Sequence, residues 1–224
     1  MAYKNREESI ELKIMRILNA RMELSKNDKQ HYFNLKKGFE GEIQFDQLLE
    51  GGGLDKKFYI LNDLLLKSVN SSFQIDTTII TQKLIIPCEI KNFDGNYFYQ
   101  DQNFYSCLTD QAIQNPLEQL NRKKILLSKL LYKNGFNISI EGYLVFISPE
   151  FFLYQASLNQ PIVFYTQLNA FLRTLHTKPA NLNDAHKSLA DFLVKAHMLA
   201  PLSAQIPTYE DKYPIFYIKK KLGH

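Results

Sequence analysis

The sequence predicts an α/β (α+β) fold in which a mixed central sheet is flanked by helices. Three closely spaced segments, 58–67, 73–81 and 84–91, have the length and the residue types of β-strands. Apolar residues recur at helical spacing before them, in 8–24, and after them, from Asn115 onward. Helices on both sides of a strand-rich segment are typical of a layered fold built around one main sheet.

Local signals place the remaining elements. A helix from about Gly38 to Leu49 is predicted to end at the glycine run 51–53, since consecutive glycines favour turns. Asn115 is predicted to cap the helix that starts at Pro116, because asparagine is a favoured N-cap residue. Proline suits the first helical position, because its missing N–H would have no helical partner there. The other assignments are a polar linker or solvated helix (25–37), a short hairpin or active-site loop (92–114), a buried strand (138–147) and two helices (about 166–176 and 184–198).

Composition and charge restrict the function classes. The net charge of +4, from 27 basic and 23 acidic residues, permits a polyanionic partner without requiring one. The two cysteines, Cys88 and Cys107, make neither a disulfide framework nor a zinc-site pattern. The N-terminus lacks the apolar core of a signal peptide, and no apolar run approaches the roughly 20 residues that a membrane helix needs. We therefore expect a cytoplasmic protein with no membrane segment.

Alternation of side chains along the strands predicts a cluster of two carboxylates and a lysine. Asp76 is assigned to one face of its strand, and Glu89 and Lys91 share one face of the next strand. A tight turn over 81–84 would pair these strands as a hairpin and bring the three side chains together. The opposite faces are predicted to be apolar, with Phe73, Ile75, Thr77 and Ile79 on the first strand and Leu84, Ile86, Cys88 and Ile90 on the second.

Such a cluster suits phosphodiester hydrolysis. Two carboxylates bind a hard divalent ion such as Mg²⁺ through oxygen ligands. The ion polarises a phosphate and lowers the pKa of a bound water, and a lysine can position that water or stabilise the developing charge. A surface ion pair is the alternative interpretation of Asp76 and Glu89. Pro87 also argues against an uninterrupted strand, since proline cannot donate to the hydrogen-bond ladder.

Two helical residues are candidates for the same site. Glu42 lies in line with Phe45 and Leu49 on one helical face, so it either has a cationic partner, faces a metal site or reaches solvent at the edge of that face. Gly38 and Gly41 are predicted to let this helix approach the sheet closely. Gln119, in the first turn of the helix after Asn115, could bind a phosphate or hold the attacking water, or it is a solvated helix residue. The basic run 122–124 could contact a nucleic-acid backbone or form a solvated face.

Several motifs, taken in order, resemble those of the nuclease-related domain (NERD) family of the PD-(D/E)xK nuclease superfamily. The matching segments are Gly38–Glu42 (GxxGE), Phe73–Asp76 (FQID), Cys88–Asn92 followed by Asp94–Gly95 (ExKN…G), Asn115–Gln119 (NPxxQ) and Ile140–Phe146. The resemblance implies a restriction-endonuclease-like fold over residues 38–150. It also implies that the site consists of Glu42, Asp76, Glu89, Lys91 and Gln119.

The resulting expectation is a cytoplasmic, Mg²⁺- or Mn²⁺-dependent nuclease acting on DNA. Asp76, Glu89 and Glu42 would be the metal ligands, Lys91 would position the water, and Gln119 would orient the water or the phosphate. The predicted segments are an N-terminal helical extension (1–37), the nuclease-like core (38–150) and a C-terminal helical extension with a basic tail (151–224). The alternatives are an RNA-directed nuclease, a non-catalytic nucleic-acid-binding module, and a protein-interaction scaffold. The scaffold would require an exposed apolar stripe on 184–198, made of Leu189, Phe192, Leu193 and Ala196.

Overall fold

The computed structural model describes residues 1–68, 71–199 and 206–207. They fall into two compact units, one containing Met1–Glu7 and Glu40–Leu199 and the other containing Glu8–Phe39. The first unit therefore groups the seven N-terminal residues and the helices after residue 150 with the predicted core. The predicted segment boundaries stay a prediction, since compactness does not show which parts fold independently. The lysine run 219–221 lies outside the described residues.

The helices begin and end at conventional signals. Ser9 caps the first helix by accepting a hydrogen bond from the N–H of Leu12, and Asn115 and Asn183 cap the third and fifth helices in the same way. The α-helices within the described residues are α1 (Ile10–Arg21), α2 (Lys26–Gly51), α3 (Pro116–Lys133), α4 (Leu168–Thr177) and α5 (Asp184–Ala196). Short 3₁₀ helices cover Leu54–Lys56 and Tyr165–Gln167. The second unit is formed by α1 and the first part of α2, which bury Leu12, Met15, Leu18, Leu24 and Tyr32.

The strands form two sheets within the described residues. Their bounds are β1 (Tyr59–Ser68), β2 (Ser71–Ile80), β3 (Leu84–Lys91), β4 (Gly95–Gln100), β5 (Asn103–Ser106), β6 (Ala112–Ile113), β7 (Ser139–Ile140), β8 (Tyr143–Phe146), β9 (Phe151–Tyr154) and β10 (Ile162–Val163). The larger sheet has the order β1-β2-β3-β8-β10, with β7 also paired to β3. Its first three strands are antiparallel, whereas β3, β8 and β10 run parallel. The smaller sheet has the order β6-β5-β4-β9.

Helices cover both faces of the larger sheet, which confirms the predicted mixed sheet flanked by helices. On one face α2 and α4 pack their apolar side chains, including Phe45 and Phe171, against the sheet. On the other face α3 and α5 do so, through Leu127, Leu131 and Leu193 among others. No helix in the described part of the chain is long and apolar enough to cross a bilayer.

The structure decides between alternatives for two segments and corrects a third. Residues 26–37 are the first part of the continuous helix α2, so the helix is confirmed and the linker is wrong. Segment 92–114 contains the hairpin β4–β5, as one alternative predicts, and this hairpin belongs to a second sheet because β9 pairs with β4 from a distant part of the chain. The predicted strand 138–147 is interrupted at Glu141 and Gly142, between β7 and β8.

The interruption between β7 and β8 explains how β3 accommodates Pro87, a residue type that argues against an uninterrupted strand. Strand β3 runs through Pro87, which pairs with Thr78 of β2. On its other side β3 pairs with β7 through Ile85 and with β8 from Cys88, so Pro87 falls at the gap between these partners. A missing N–H costs little where the neighbouring strand offers no regular ladder position.

The apolar stripe of α5 is buried. Leu189 and Leu193 are fully buried in the cluster that covers β1 and β2, and Phe192 and Ala196 are partly buried against the same cluster. This packing removes the exposed stripe that the protein-interaction scaffold would require.

Gly41, unlike Gly38, is required for close packing of α2. A Cβ at Gly41 would lie 2.6 Å from the Cβ of Asn92 and 2.9 Å from a methyl group of Ile147, whereas a Cβ at Gly38 would meet open space. The expectation that both glycines permit close approach is therefore wrong for Gly38.

We expect Gly41→Ala to lower the free energy of unfolding by about 1–3 kcal/mol, since overpacking forces neighbours to shift. Gly38→Ala is the matched control on the same helix and should raise stability by up to about 1 kcal/mol through helix propensity. Urea denaturation of both variants measures the difference. Equal stabilities would show that α2 tolerates a side chain at Gly41.

Candidate metal centre and its salt-bridge network

The hairpin formed by β2 and β3 brings the two predicted metal ligands together. Thr77 pairs with Cys88, and the ladder stops there, so Asp76 and Glu89 are the next residues on the two strands. Both side chains are buried, and both contact the ammonium group of Lys123. Because one nitrogen reaches both carboxylates, they lie within several ångströms of each other. The structure thus supplies the convergence that the strand pattern predicts.

Asp76 stands where the sheet ladder is broken. Its Oδ2 accepts a hydrogen bond of 2.8 Å from the backbone N–H of Ile90, in the place of a backbone carbonyl. Its own carbonyl oxygen accepts a hydrogen bond of 2.8 Å from Nη2 of Arg6. Across the sheet, Asp63 of β1 has a φ of 53° and interrupts the pairing between Asn62–Thr77 and Leu64–Ile75. The hydrogen bonds from Ile90 and Arg6 satisfy polar groups that the broken ladder leaves without strand partners. The bond from Ile90 also holds the Asp76 carboxylate in place.

The same irregularity overturns part of the predicted face assignment of β2. Phe73 and Ile75 pack with the cluster beneath α3 and α5, whereas Ile79 packs with the cluster beneath α2 and α4. The prediction that all of these residues share one face with Thr77 is therefore wrong. Strict alternation fails because the chain is irregular at Asp63 and Asp76, and no such signal is visible in a strand pattern.

Glu89 lies between two lysines. Its Oε1 accepts a hydrogen bond of 2.9 Å from Nζ of Lys91, and its Oε2 accepts one from Nζ of Lys123. The side chain is only 3% exposed. Burial and the negative charge of Asp76 raise the pKa of Glu89, and the two ammonium groups oppose that rise. Glu89 and Lys91 therefore lie side by side, as the sequence predicts.

Lys123 is part of the site and not of a solvated basic face. It belongs to the basic run 122–124, for which the sequence predicts either a contact to a nucleic-acid backbone or a solvated face. Its Nζ instead lies 3.6 Å from Oδ1 of Asp76 and in contact with Oε2 of Glu89, and its side chain is 17% exposed. Burial alone would lower the pKa of Lys123, but the charges of Asp76 and Glu89 outweigh it and raise that pKa.

Arg6 links the N-terminal segment to the site. Its Nη1 lies 2.7 Å from Oε2 of Glu42, and its Nε lies 2.8 Å from Oδ2 of Asp46. Its Nη2 also donates to Oγ1 of Thr77 at 3.0 Å. The guanidinium side chain is 1% exposed, so these bonds are shielded from water. Nη2 donates as well to Oδ1 of Asp46 at 3.1 Å, so the pair with Asp46 is bidentate and holds both side chains in a fixed orientation.

Backbone pairing to β1 holds the segment that carries Arg6. The N–H of Tyr3 donates to the carbonyl of Ile60, and the N–H of Asn62 donates to the carbonyl of Lys4. The ammonium group of Lys4 donates to the carbonyls of Asn62 and Asp63, at 2.8 and 2.9 Å. The segment thus satisfies carbonyls at the irregular part of β1 while it positions Arg6.

Glu42 has a cationic partner, which is one of the outcomes foreseen for a carboxylate on an apolar helical face. Burial and the negative charge of Asp76 raise the pKa of Glu42 to about 8 even though Arg6 lowers it. Glu42 lies near Asp76, because the guanidinium group of Arg6 donates both to Oε2 of Glu42 and to the carbonyl oxygen of Asp76. Its role as a third metal ligand stays a prediction.

The pH dependence of stability provides a test of the Glu42 environment. Glu42 ionises at its ordinary pKa of 4.5 in the unfolded chain and at about 8 in the folded protein. Between these values the unfolded state binds fewer protons, so this group makes stability fall as pH rises. We expect Glu42→Gln to lose that contribution, which urea denaturation from pH 5 to 8 in the presence of a chelator would measure. Parallel stability curves for wild type and variant would contradict the raised pKa.

Gln119 lies in the first turn of α3 beside an open pocket of about 420 Å³. The pocket lining also includes Gln74, Glu118, Arg122 and Lys123. Lys123 lines the pocket and also contacts Asp76 and Glu89, so the pocket gives a ligand access to the two carboxylates. Gln119 is therefore placed to contact a molecule in the pocket, although no hydrogen bond joins its side chain to Asp76 or Glu89.

No three His, Cys, Asp or Glu side chains of the described residues form a group with metal-ligand geometry. Two of the three predicted carboxylates converge on Lys123, while the third is bonded to Arg6. Sequence reasoning missed Arg6, Asp46 and the pairing of Lys123. Lys123 had a usable signal, since it lies four residues after Gln119 and so on the same helical face.

Comparison with known proteins places these observations in a family. No curated protein and no solved structure matches the chain. The family model described as the nuclease-related domain matches residues 37–147, a segment that contains Glu42, the β2–β3 hairpin and the start of α3. The mixed sheet flanked by helices is in keeping with a nuclease-like fold. Through residues 37–147, the chain belongs to the nuclease-related domain (NERD) family.

Proposed function

We propose that the protein hydrolyses phosphodiester bonds of nucleic acid, with DNA as its substrate and Mg²⁺ or Mn²⁺ as its cofactor. The observation that carries the proposal is the convergence of two buried carboxylates, Asp76 and Glu89, on one cation beside Lys91. This geometry supports the proposal of a PD-(D/E)xK-type site, and family membership supplies the nuclease-related context.

The donor set suits a hard divalent ion. Asp76 and Glu89 supply carboxylate oxygens, the ligands that Mg²⁺ and Mn²⁺ favour, and they already hold a positive charge between them. These two residues would hold the ion, with Glu42 as a further ligand directly or through water. When bound, the ion would polarise the phosphate and lower the pKa of a coordinated water.

The remaining residues orient the reactants. The hydrogen bond from Lys91 to Glu89 fixes its ammonium group at the carboxylate pair, where it can hold the attacking water and stabilise charge on the phosphate. Gln119 and Arg122 line the adjoining pocket, where an amide and a guanidinium group can bind a phosphate. Hydrolysis of the phosphodiester bond by water needs no covalent intermediate between nucleic acid and protein, because the site can activate the water directly.

A cleavage assay tests the proposal. Purified protein would be incubated with supercoiled, linear and single-stranded DNA and with RNA, each with Mg²⁺, Mn²⁺ or chelator. We expect metal-dependent cleavage of DNA that the chelator abolishes. Cleavage of RNA alone would favour the RNA-directed nuclease, which shares this chemistry. Binding without cleavage under every condition would favour the non-catalytic nucleic-acid-binding module.

The cytoplasm is the proposed compartment, from the cysteine usage of the sequence.

DNA binding should depend on salt and only weakly on sequence. Of the basic residues on α3, Arg122 and Lys123 line the pocket, and nothing in the sequence indicates a base-reading motif. For two to four phosphate contacts, the logarithm of the association constant should fall with the logarithm of salt concentration at a slope of about −2 to −4. Fluorescence anisotropy from low to moderate salt would measure the slope. A flat curve would contradict a phosphate-tracking surface.

A further inference from the structure

Lys123 occupies the position between the two proposed metal ligands. Its ammonium group contacts Oε2 of Glu89 and lies 3.6 Å from Oδ1 of Asp76. Lys91 contacts only the other oxygen of Glu89, Oε1, so the two lysines are not equivalent. Lys123 is therefore the cation that bridges the two carboxylates.

An ammonium group and a divalent ion cannot share this position. Both are attracted by the same carboxylate oxygens, and two positive charges a few ångströms apart repel each other strongly in a partly buried site. The site therefore has two mutually exclusive forms. In one, the ammonium group of Lys123 bridges Asp76 and Glu89, and in the other a divalent ion bridges them.

The structure provides a place for the displaced side chain. Lys123 lines the pocket of about 420 Å³ beside α3, and its side chain already reaches solvent in part. A flexible four-carbon stem lets the ammonium group turn away from the carboxylates while the helix stays in place. The pocket also contains Gln119 and Arg122, so the displaced charge would face a bound phosphate.

We propose that Lys123 is an exchangeable internal cation, which holds Asp76 and Glu89 in the metal-free protein and moves into the adjoining pocket when a divalent ion enters. The inference rests on the proposed function, because it concerns the same carboxylate pair. It goes further by assigning Lys123 as the competitor of the metal and as a positioning residue.

Metal affinity, measured without substrate, tests the exchange. Lys123→Met keeps the length of the side chain and removes the competing charge, so Mn²⁺ should bind at least about tenfold more tightly than to the wild type. Lys123→Arg keeps a cation and should bind Mn²⁺ no more tightly than the wild type. Lys129→Met removes an exposed lysine from the same helix and should leave the affinity unchanged. Isothermal titration calorimetry gives the dissociation constants.

Thermal melting provides a second readout. Without metal, Lys123→Met should melt at a lower temperature than the wild type. Mn²⁺ should raise the melting temperature of Lys123→Met by more than it raises that of the wild type. If Lys123→Met does not fold, Lys123→Gln gives the same comparison, because the amide keeps a hydrogen-bond donor without the charge. A variant that folds only with Mn²⁺ would also support the exchange.

The outcomes separate this inference from the proposed function. Wild-type protein that binds Mn²⁺ and cleaves DNA, together with equal Mn²⁺ affinity for Lys123→Met, would overturn the exchange and leave the proposed function standing. Binding of Mn²⁺ to neither protein would overturn both. Tighter binding to Lys123→Met without cleavage by the wild type would support the exchange and reject the nuclease activity.

Discussion

Asp76→Asn is expected to reduce metal-dependent cleavage by at least about 100-fold, a larger effect than that of residues which only orient metal ligands. Asparagine keeps the shape of aspartate and can still accept the hydrogen bond from the N–H of Ile90. It removes the negative charge that a hard divalent ion requires. The cleavage rate as a function of Mg²⁺ concentration, for wild type and variant, measures the effect.

The control for Asp76→Asn must separate catalysis from folding. Asp101→Asn makes the same chemical change in an exposed turn whose φ of 49° suits asparagine as well as aspartate, and it should cleave at the wild-type rate. Thermal melting should show that both variants are folded. If Asp76 were only the structural partner of Lys123, its replacement would lower stability and leave the cleavage rate of the folded protein unchanged. A folded Asp76→Asn protein that cleaves as fast as the wild type would therefore reject Asp76 as a metal ligand.

Arg6→Met is expected to lower the free energy of unfolding by about 3–5 kcal/mol, the usual result of removing one partner from a buried charge network. The change would leave Glu42 and Asp46 without their cation. It would also remove the donor to the carbonyl oxygen of Asp76, and that carbonyl lies where the sheet ladder is broken. Urea denaturation of the metal-free protein measures the loss.

An exposed arginine provides the matched comparison for Arg6. Arg16 forms an ion pair with Glu8, but its side chain is 54% exposed, so Arg16→Met should cost no more than about 1 kcal/mol. Arg6→Lys should lie between the two, because a single ammonium group cannot make the bidentate bonds of a guanidinium. Equal costs at Arg6 and Arg16 would show that the buried network contributes no more than a surface pair.

The parts of the fold that follow local rules could be predicted from the sequence. The cap and proline at Asn115–Pro116 fixed the start of α3, and the three strand-like segments became β1 to β3. The second sheet could not be predicted, because β9 joins β4 across more than fifty residues and periodicity contains no pairing information. Alternation failed in β2 because the irregularity at Asp63 depends on satisfying carbonyls with Lys4 and Arg6.

The candidate site shows the same division. The cluster of Asp76, Glu89 and Lys91 could be predicted from the sequence, since a hairpin with a short turn and side-chain alternation bring the three residues together. Lys123 could have been placed there from its spacing to Gln119. Arg6 had no local signal, because it precedes Asp76 by 70 residues and reaches the site through pairing of the N-terminal segment with β1.

The most direct test of the central claim is the crystal structure of the protein grown or soaked with Mn²⁺, with data collected to reveal the anomalous signal of manganese. We expect an anomalous peak coordinated by Asp76 and Glu89, with the ammonium group of Lys123 turned into the pocket beside α3. A structure in which Lys123 still bridges the two carboxylates at saturating Mn²⁺, with no anomalous peak beside them, would contradict the assignment of a metal centre.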